Sequence, residues 1–332
     1  MKIGYLGAGT WGFCLASLLA SKGFECVVWA RDKDLVKTLQ ETKEHPDLPG
    51  HIAKGDIRFT NNLEEALLGI DLLVESVTSA GIRPVFQQVK NIGIPYCPIV
   101  LTSKGIEQNT ELLLSDVIVE ILGTDYARLI GCLSGPSHAE EVVQSLPTSV
   151  VAASHDSEVA HTIRDAFVTH TFRVYPNTDL SGVQFGGAMK NIMAIACGIS
   201  DGLGFGDNTK AALMTRGLHE IRKLSVTKGC RPETLNGLAG MGDLCVTCLS
   251  THSRNYRFGR LIAEGCSAAD AKKRIGVAVE GMYTCVSARQ LGMHHRIDLP
   301  ITDAVYQILY ENMLPSKAVK ELLTRSIKEE HL

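Results

Sequence analysis

The sequence predicts an α/β N-terminal domain, with a mostly parallel and doubly wound sheet, followed by an all-α C-terminal domain. Two observations carry that expectation. Apolar strand-like runs alternate with helical patterns as far as about residue 180, which argues for a parallel sheet covered on both faces. Beyond that point the pattern is helical throughout. The chain's 332 residues, 45% of them hydrophobic, suffice for two cores, so we expect domains at 1–183 and 184–332.

The first strand is expected over 3–7 and the first helix over 11–21. Residues 25–30, 57–60, 71–77, 98–102, 129–134, 148–153 and 172–175 read as further strands, not all of them necessarily parallel. Helices are expected between them over 34–42, 63–68, 84–91 and 111–122. The second domain should hold helices over 187–200, 209–228, 254–263, 268–275, 282–291, 301–311 and 316–323, with a frayed charged tail at 328–332.

Charge and cysteine usage exclude several classes. A net charge of -3 exerts no long-range pull on nucleic acid or an anionic membrane. The apolar run after Met1-Lys2 is too short for a secretory signal, and Asp71 and Glu75 interrupt the run at 68–77, so no membrane span is expected. We expect a cytoplasmic protein. The ten cysteines, among them Cys14, Cys26 and Cys197 in apolar surroundings, read as free thiols of a reducing compartment. Cys245 and Cys248 have Cys-x-x-Cys spacing. Only His252 stands nearby and no second pair follows, so no metal site is expected.

Gly7-Ala8-Gly9-Thr10-Trp11-Gly12 fits Gly-x-Gly-x-x-Gly between the first strand and first helix. Gly7 permits the tight turn, Gly9 the approach of a pyrophosphate, and Gly12 close packing of helix on strand. The helix N-terminus then offers free N–H groups to the phosphates. The N-terminal domain is therefore expected to be a dinucleotide-binding, Rossmann-like domain. At the tip of the second strand stands Arg31, a cation suited to the 2′-phosphate of NADP, while Asp32 after it keeps NAD open.

Reducing a ketone by hydride transfer creates an alkoxide that needs a proton, and a lysine of lowered pKa suits that task. Lys104 stands where a buried strand ends, and ligands of parallel sheets bind at such ends. Lys190 opens a long apolar helix amid Gly186, Gly187 and Ala188. A snorkelling surface lysine is the bland alternative for either. Gly240-Met241-Gly242-Asp243 is followed by Ser253-Arg254-Asn255, a phosphate clamp at a helix start or an ordinary cap built on Ser253.

Taken with Thr102-Ser103-Lys104-Gly105, Leu133-Ser134-Gly135-Pro136-Ser137, Gly187-Ala188-Met189-Lys190-Asn191 and Val279-Glu280-Gly281, these motifs make the chain resemble the bacterial-type NAD(P)-dependent glycerol-3-phosphate dehydrogenases nearly end to end. The resemblance implies reduction of dihydroxyacetone phosphate to sn-glycerol 3-phosphate for glycerophospholipid synthesis, with NADPH or NADH as cofactor, by a homodimer. It implies that Lys190 is the general acid/base, Lys104 a contact to substrate and cofactor, and Asp243 an orienting carboxylate. Ser253, Arg254 and Asn255 would grip the phosphate, and Gly135, Ser137 and Ala139 would belong to a closing loop. Cofactor contacts would come from Gly7, Gly9, Thr10, Trp11, Gly12, Arg31, Lys104, Ala139, Arg254, Ala278 and Glu280. His138, Ala278 and the run Thr78-Ser79-Ala80 depart from the usual family pattern and bear on details of cofactor contact. Two other readings stand beside it: a related dehydrogenase acting on a 3-hydroxy acid or 6-phosphogluconate, and a nucleotide sensor that kept the fold without catalysis. Joint presence of Lys104, Lys190, Asp243 and Arg254 speaks against the sensor.

Overall fold

The computed structural model describes residues 1–93, 96–327 and 329, so the tail expected at 328–332 lies, apart from Glu329, outside the described residues. The chain divides into two compact units, Met1–Lys104 with Leu114–Leu180, and Gly105–Leu113 with Ser181–Leu332.

The first unit is built on one eight-stranded sheet. Its strands are β1 (Lys2–Leu6), β2 (Glu25–Trp29), β3 (Ile57–Thr60), β4 (Leu72–Glu75), β5 (Ile99–Leu101), β6 (Ile130–Ser134), β7 (Thr148–Ser154) and β8 (Phe172–Asn177). They lie in the order β3-β2-β1-β4-β5-β6-β7-β8. Every pairing is parallel except β6 with β7. The central strands β4 and β5 are buried along their whole length, β5 as an unbroken apolar run and β4 as an apolar run that ends in the buried Glu75. Pro176 is tolerated in β8 because that strand forms the sheet edge, where a missing N–H breaks no ladder.

Two local expectations change. The sequence reading leaves 157–167 unassigned, yet Ser157–Phe167 is a helix. Its buried residues Val159, Ala160, Ile163, Ala166 and Phe167 follow helical spacing, and the Asp156 carboxylate caps it by accepting from the Glu158 N–H at 2.9 Å. The helix expected from 111 begins only at Leu114. Asn109 and Glu111 take positive φ, and Ile106 bridges Leu113, so the chain turns back on itself before the helix starts. Ile106 and Leu113 belong to the helical core, and the Ser287 hydroxyl donates to the Ile106 carbonyl at 3.3 Å. Residues 105–113 thus associate with the second unit, although the sequence division places them in the first.

The second unit centres on the helix Leu180–Gly202, which starts ahead of the expected 187. Glycines let it approach the helix Arg254–Ala263. A Cβ on Gly198 would stand 2.0 Å from the Tyr256 carbonyl oxygen, and one on Gly259 would stand 2.2 Å from that of Ile195. Further helices, Asp207–Ser225, Ala268–Ile275, Glu280–His295, Pro300–Tyr310 and Pro315–Leu323, fall where helical patterns were expected. Among the described residues no strand follows Asn177, and no helix is long and apolar enough to cross a membrane. All ten cysteines are free, and eight of them are buried.

Glu220, buried on Asp207–Ser225, accepts hydrogen bonds from the N–H groups of Ile301 (2.6 Å) and Thr302 (3.1 Å) and caps the helix Pro300–Tyr310. Burial outweighs these bonds and, with the nearby Asp303 charge, pushes the carboxyl from its ordinary 4.5 up to about 7. The native state therefore binds this proton more tightly than the unfolded chain does. Its contribution is complete below about pH 4.5 and is lost as pH rises to about 7. It amounts to something on the order of 3 kcal/mol. Urea unfolding across this window should show the loss in the wild type and its absence in Glu220→Gln.

Candidate active site

In the first unit the glycine turn has the form a dinucleotide needs. Gly7 has φ +104°, which favours glycine. A Cβ on Gly12 would come within 2.1 Å of the Gly7 carbonyl oxygen, so only glycine lets the helix start this close to the strand. A Cβ on Gly9, by contrast, would meet nothing within 4 Å, leaving its backbone open to a ligand. The helix Thr10–Ser21 that follows has no side-chain cap and no acidic residue in its first turn. Its first N–H groups are thus left for an anion. Thr10 and Trp11 sit half-buried on that first turn. Arg31 is exposed just past β2, the strand paired with β1. Asp32 caps the helix Lys33–Thr42, its Oδ1 accepting from the N–H groups of Asp34 (2.9 Å) and Leu35 (3.1 Å). These residues fit a dinucleotide.

The carboxyl ends of β4, β5 and β6 carry a second group. Lys104 Nζ donates to the Gly135 carbonyl at 3.2 Å, and the Ser137 hydroxyl donates to the same oxygen at 2.9 Å. Glu75, wholly buried at the end of β4, holds the neighbouring turn. Its Oε1 accepts from the Val77 N–H at 2.5 Å and the Ser103 hydroxyl at 2.7 Å. The sequence reading treats Glu75 only as an interruption of an apolar run. Its signal was a carboxylate at the end of an otherwise apolar buried strand. Ala139 opens a short helix and is tied to the helix Thr10–Ser21 through the Cys14 thiol, which donates to its carbonyl at 3.7 Å.

In the second unit Lys190 is buried and forms an ion pair with Asp243, which is 1% exposed. The lysine also donates to the Thr247 hydroxyl at 2.8 Å, and that hydroxyl donates to the Asp243 carbonyl at 2.6 Å. A π-helical turn, Leu238–Gly242, delivers Asp243 to the start of the helix Asp243–Leu249. Thr247 lies one turn further along, which puts it on the same face. Nothing local in the sequence marks Thr247, which stands between Cys245 and Cys248 and whose partner Lys190 lies 57 positions away. Neither forms a metal cluster among the described residues; Cys245 lies 3.5 Å from the Met241 sulfur and Cys248 is buried.

The next residue, Asn191, starts a second network. Its Oδ1 accepts from Asn255 Nδ2 at 3.0 Å, and Asn255 Oδ1 accepts from the Gly281 N–H at 2.9 Å. The expected clamp is therefore divided in its work. Ser253 caps the helix Arg254–Ala263 by accepting from the Tyr256 N–H at 3.2 Å, and the Asn255 amide braces Val279-Glu280-Gly281. Arg254 stands exposed at the helix start. Ala278 precedes the braced segment and Glu280 lies within it, both half-buried.

A dinucleotide turn on a parallel sheet, with a buried lysine–carboxylate pair in a helical unit, defines a class: the dinucleotide-dependent dehydrogenases with a helical second unit. The comparisons narrow it. Residues 2–160 match the family model of NAD-dependent glycerol-3-phosphate dehydrogenase N-terminus, and residues 179–320 match that of its C-terminus. The glycerol-3-phosphate dehydrogenase (NAD(P)+) of Protochlamydia amoebophila is 61% identical, over 100% of this chain and 99% of that protein. The enzyme of that name from Chlamydia caviae is 55% identical with the same coverage. The crystal structure of glycerol-3-phosphate dehydrogenase from Coxiella burnetii superposes with a TM-score of 0.93 at 38% identity, over 98% of this chain and 99% of that one. This chain belongs to the NAD-dependent glycerol-3-phosphate dehydrogenase family.

The ion pair predicts a stability difference. Asp243→Ala strands a buried ammonium and should cost roughly 3–5 kcal/mol. Asp243→Asn keeps an acceptor and should cost less. Urea midpoints of both variants equal to that of the wild type would show that the carboxylate is not what offsets the burial of Lys190.

Proposed function

We propose that this chain is an NAD(P)-dependent glycerol-3-phosphate dehydrogenase that reduces dihydroxyacetone phosphate to sn-glycerol 3-phosphate, the precursor of glycerophospholipids. The observation that carries the reading is the Lys190–Asp243–Thr247 cluster, buried in the helical unit of a chain whose first unit has an open dinucleotide turn.

The bound nicotinamide supplies the hydride. The chain's own residues do the rest. Arg254, exposed at a helix N-terminus, takes the substrate phosphate through charge-assisted hydrogen bonds, with Ser253 and Asn255 fixing the backbone that presents it. Holding the phosphate fixes the ketone and removes much of the entropic cost of the reaction. Lys190 stabilises developing charge on the carbonyl oxygen and delivers its proton there, and Asp243 and Thr247 keep its ammonium oriented. Lys104, Gly135, Ser137 and Ala139 keep the substrate and cofactor contacts that the family resemblance gives them. Gly7, Gly9, Thr10, Trp11 and Gly12 hold the pyrophosphate, and Ala278 and Glu280 keep the cofactor contacts that the family resemblance gives them. Arg31 selects NADPH over NADH through the 2′-phosphate. The enzyme works in the cytoplasm as a homodimer. Exposed Leu314 and Leu323 on the helical unit supply apolar surface for that contact, and a monomer by light scattering would contradict it.

Loss of reduced cofactor is followed with dihydroxyacetone phosphate, running NADH and NADPH in parallel. Turnover is expected with this substrate and not with unphosphorylated dihydroxyacetone. Lys190→Ala should lower kcat by several orders of magnitude while cofactor binding survives, and near-normal turnover would reject the assignment. Arg31→Ala should raise the KM for NADPH about tenfold or more while leaving that for NADH almost unchanged; parallel changes would remove Arg31 from selection.

A further inference from the structure

The first unit contains a cavity of about 570 Å³ that the reaction does not use. It opens along the flank and the far end of the helix Thr10–Ser21, with Cys14, Ser17 and Ser21 in its wall, and no residue of the Gly7–Gly12 turn lines it. Its other walls come from the loop at 50–54, the segment at 142–146 and the segment 168–172 leading into β8.

The lining has a one-sided chemistry. It holds two lysines, Lys22 and Lys54, two histidines, His51 and His170, and no carboxylate. Lys22 is fixed in place. Its Nζ donates to the carbonyls of Asp165 (2.8 Å), Ala166 (2.7 Å) and Val168 (2.7 Å), where the helix Ser157–Phe167 ends. Its charge therefore stays at the wall while its donors are engaged. Lys54 and His170 are exposed and make no hydrogen bond or ion pair among the described residues, so their donors face whatever enters. Ile52, Leu146 and Val168, exposed by 60%, 45% and 37%, add large apolar surface to the same lining. Exposed apolar side chains gathered around a cationic cavity mark a binding site rather than scattered surface. The volume lies within the range of small-molecule sites, well beyond what a bare phosphate fills.

We propose that this cavity is a second, non-catalytic binding site for a phosphomonoester carrying an apolar body. The phosphate lies against Lys54, His170 and His51, with Lys22 adding charge behind it. The apolar body covers Ile52, Leu146 and Val168. Several dispersed donors suit a tetrahedral phosphate, with its three accepting oxygens, better than a planar carboxylate.

The test uses the full chain saturated with reduced cofactor, and hexyl phosphate as the probe. Calorimetry should show one binding event that the double variant Lys54→Glu/His170→Glu weakens at least tenfold, that Ile52→Ser also weakens, and that Arg254→Ala leaves in place. Neither cavity variant should alter kcat. Inorganic phosphate and hexanol, titrated separately, should each bind at least tenfold more weakly than hexyl phosphate. Loss of the event in Arg254→Ala with no effect of the cavity variants would place the probe at the substrate-phosphate position and overturn the proposal. Equal binding of inorganic phosphate would overturn the apolar half of the site, and no binding at all would overturn the whole.

Discussion

The helical unit is organised around one expensive contact, the buried ion pair between Lys190 and Asp243. Removing two charges from water costs several kcal/mol for each, and only close pairing with further hydrogen bonds offsets that. Thr247 supplies one such bond and is itself fixed by the Asp243 carbonyl. The pair thus constrains three elements together: the helix Leu180–Gly202, the π-helical turn Leu238–Gly242 and the helix Asp243–Leu249. A hydrophobic replacement would fill the volume but would leave no buried ammonium. A polar pair kept in an apolar core is therefore a sign of chemistry as much as of stability.

The adjacent residue extends the constraint. Asn191 holds Asn255, and Asn255 holds Gly281, so one helical step from Lys190 to Asn191 joins the lysine cluster to the start of two more helices. Close backbone approach at Gly198 and Gly259 makes those short side-chain bonds reachable. Arg254 is then presented outward by a helix whose neighbours on both sides are bound internally.

The sheet unit solves a different problem. Its strands end in polar residues that must be satisfied where ligands bind. Glu75 joins the turns after β4 and β5, while the Gly135 carbonyl joins Lys104 to Ser137. The helix Thr10–Ser21 is left uncapped at the one end where an anion can do the capping. The same helix has a cationic cavity along its flank, so its two parts present separate chemistries to solvent.

By itself, the sequence determined the features that are local. Apolar runs that alternate with helical patterns specified the central parallel strands, because both faces of β4 and β5 are covered. The Gly-x-Gly-x-x-Gly turn was legible because each glycine answers a backbone requirement within six residues. Lys190 stood out as a charge amid small residues on an apolar helix, and Arg254 as a cation beside Ser253 and Asn255 at a helix start, after the Gly240-Met241-Gly242-Asp243 turn. Only the tertiary structure decided the rest. The partnership of Lys190 with Asp243 and Thr247 spans more than fifty positions, and no spacing rule reaches that far. The division of labour between Ser253, Asn255 and Arg254 depends on which donors the helix start and Gly281 already occupy. Residues 105–113 associate with the helical core because Ile106 and Leu113 find their apolar neighbours there, a choice between two hydrophobic environments that composition cannot make. Antiparallel β7 and the cavity beside it likewise follow from how the chain crosses the sheet, and the periodicity of a strand is the same in either direction.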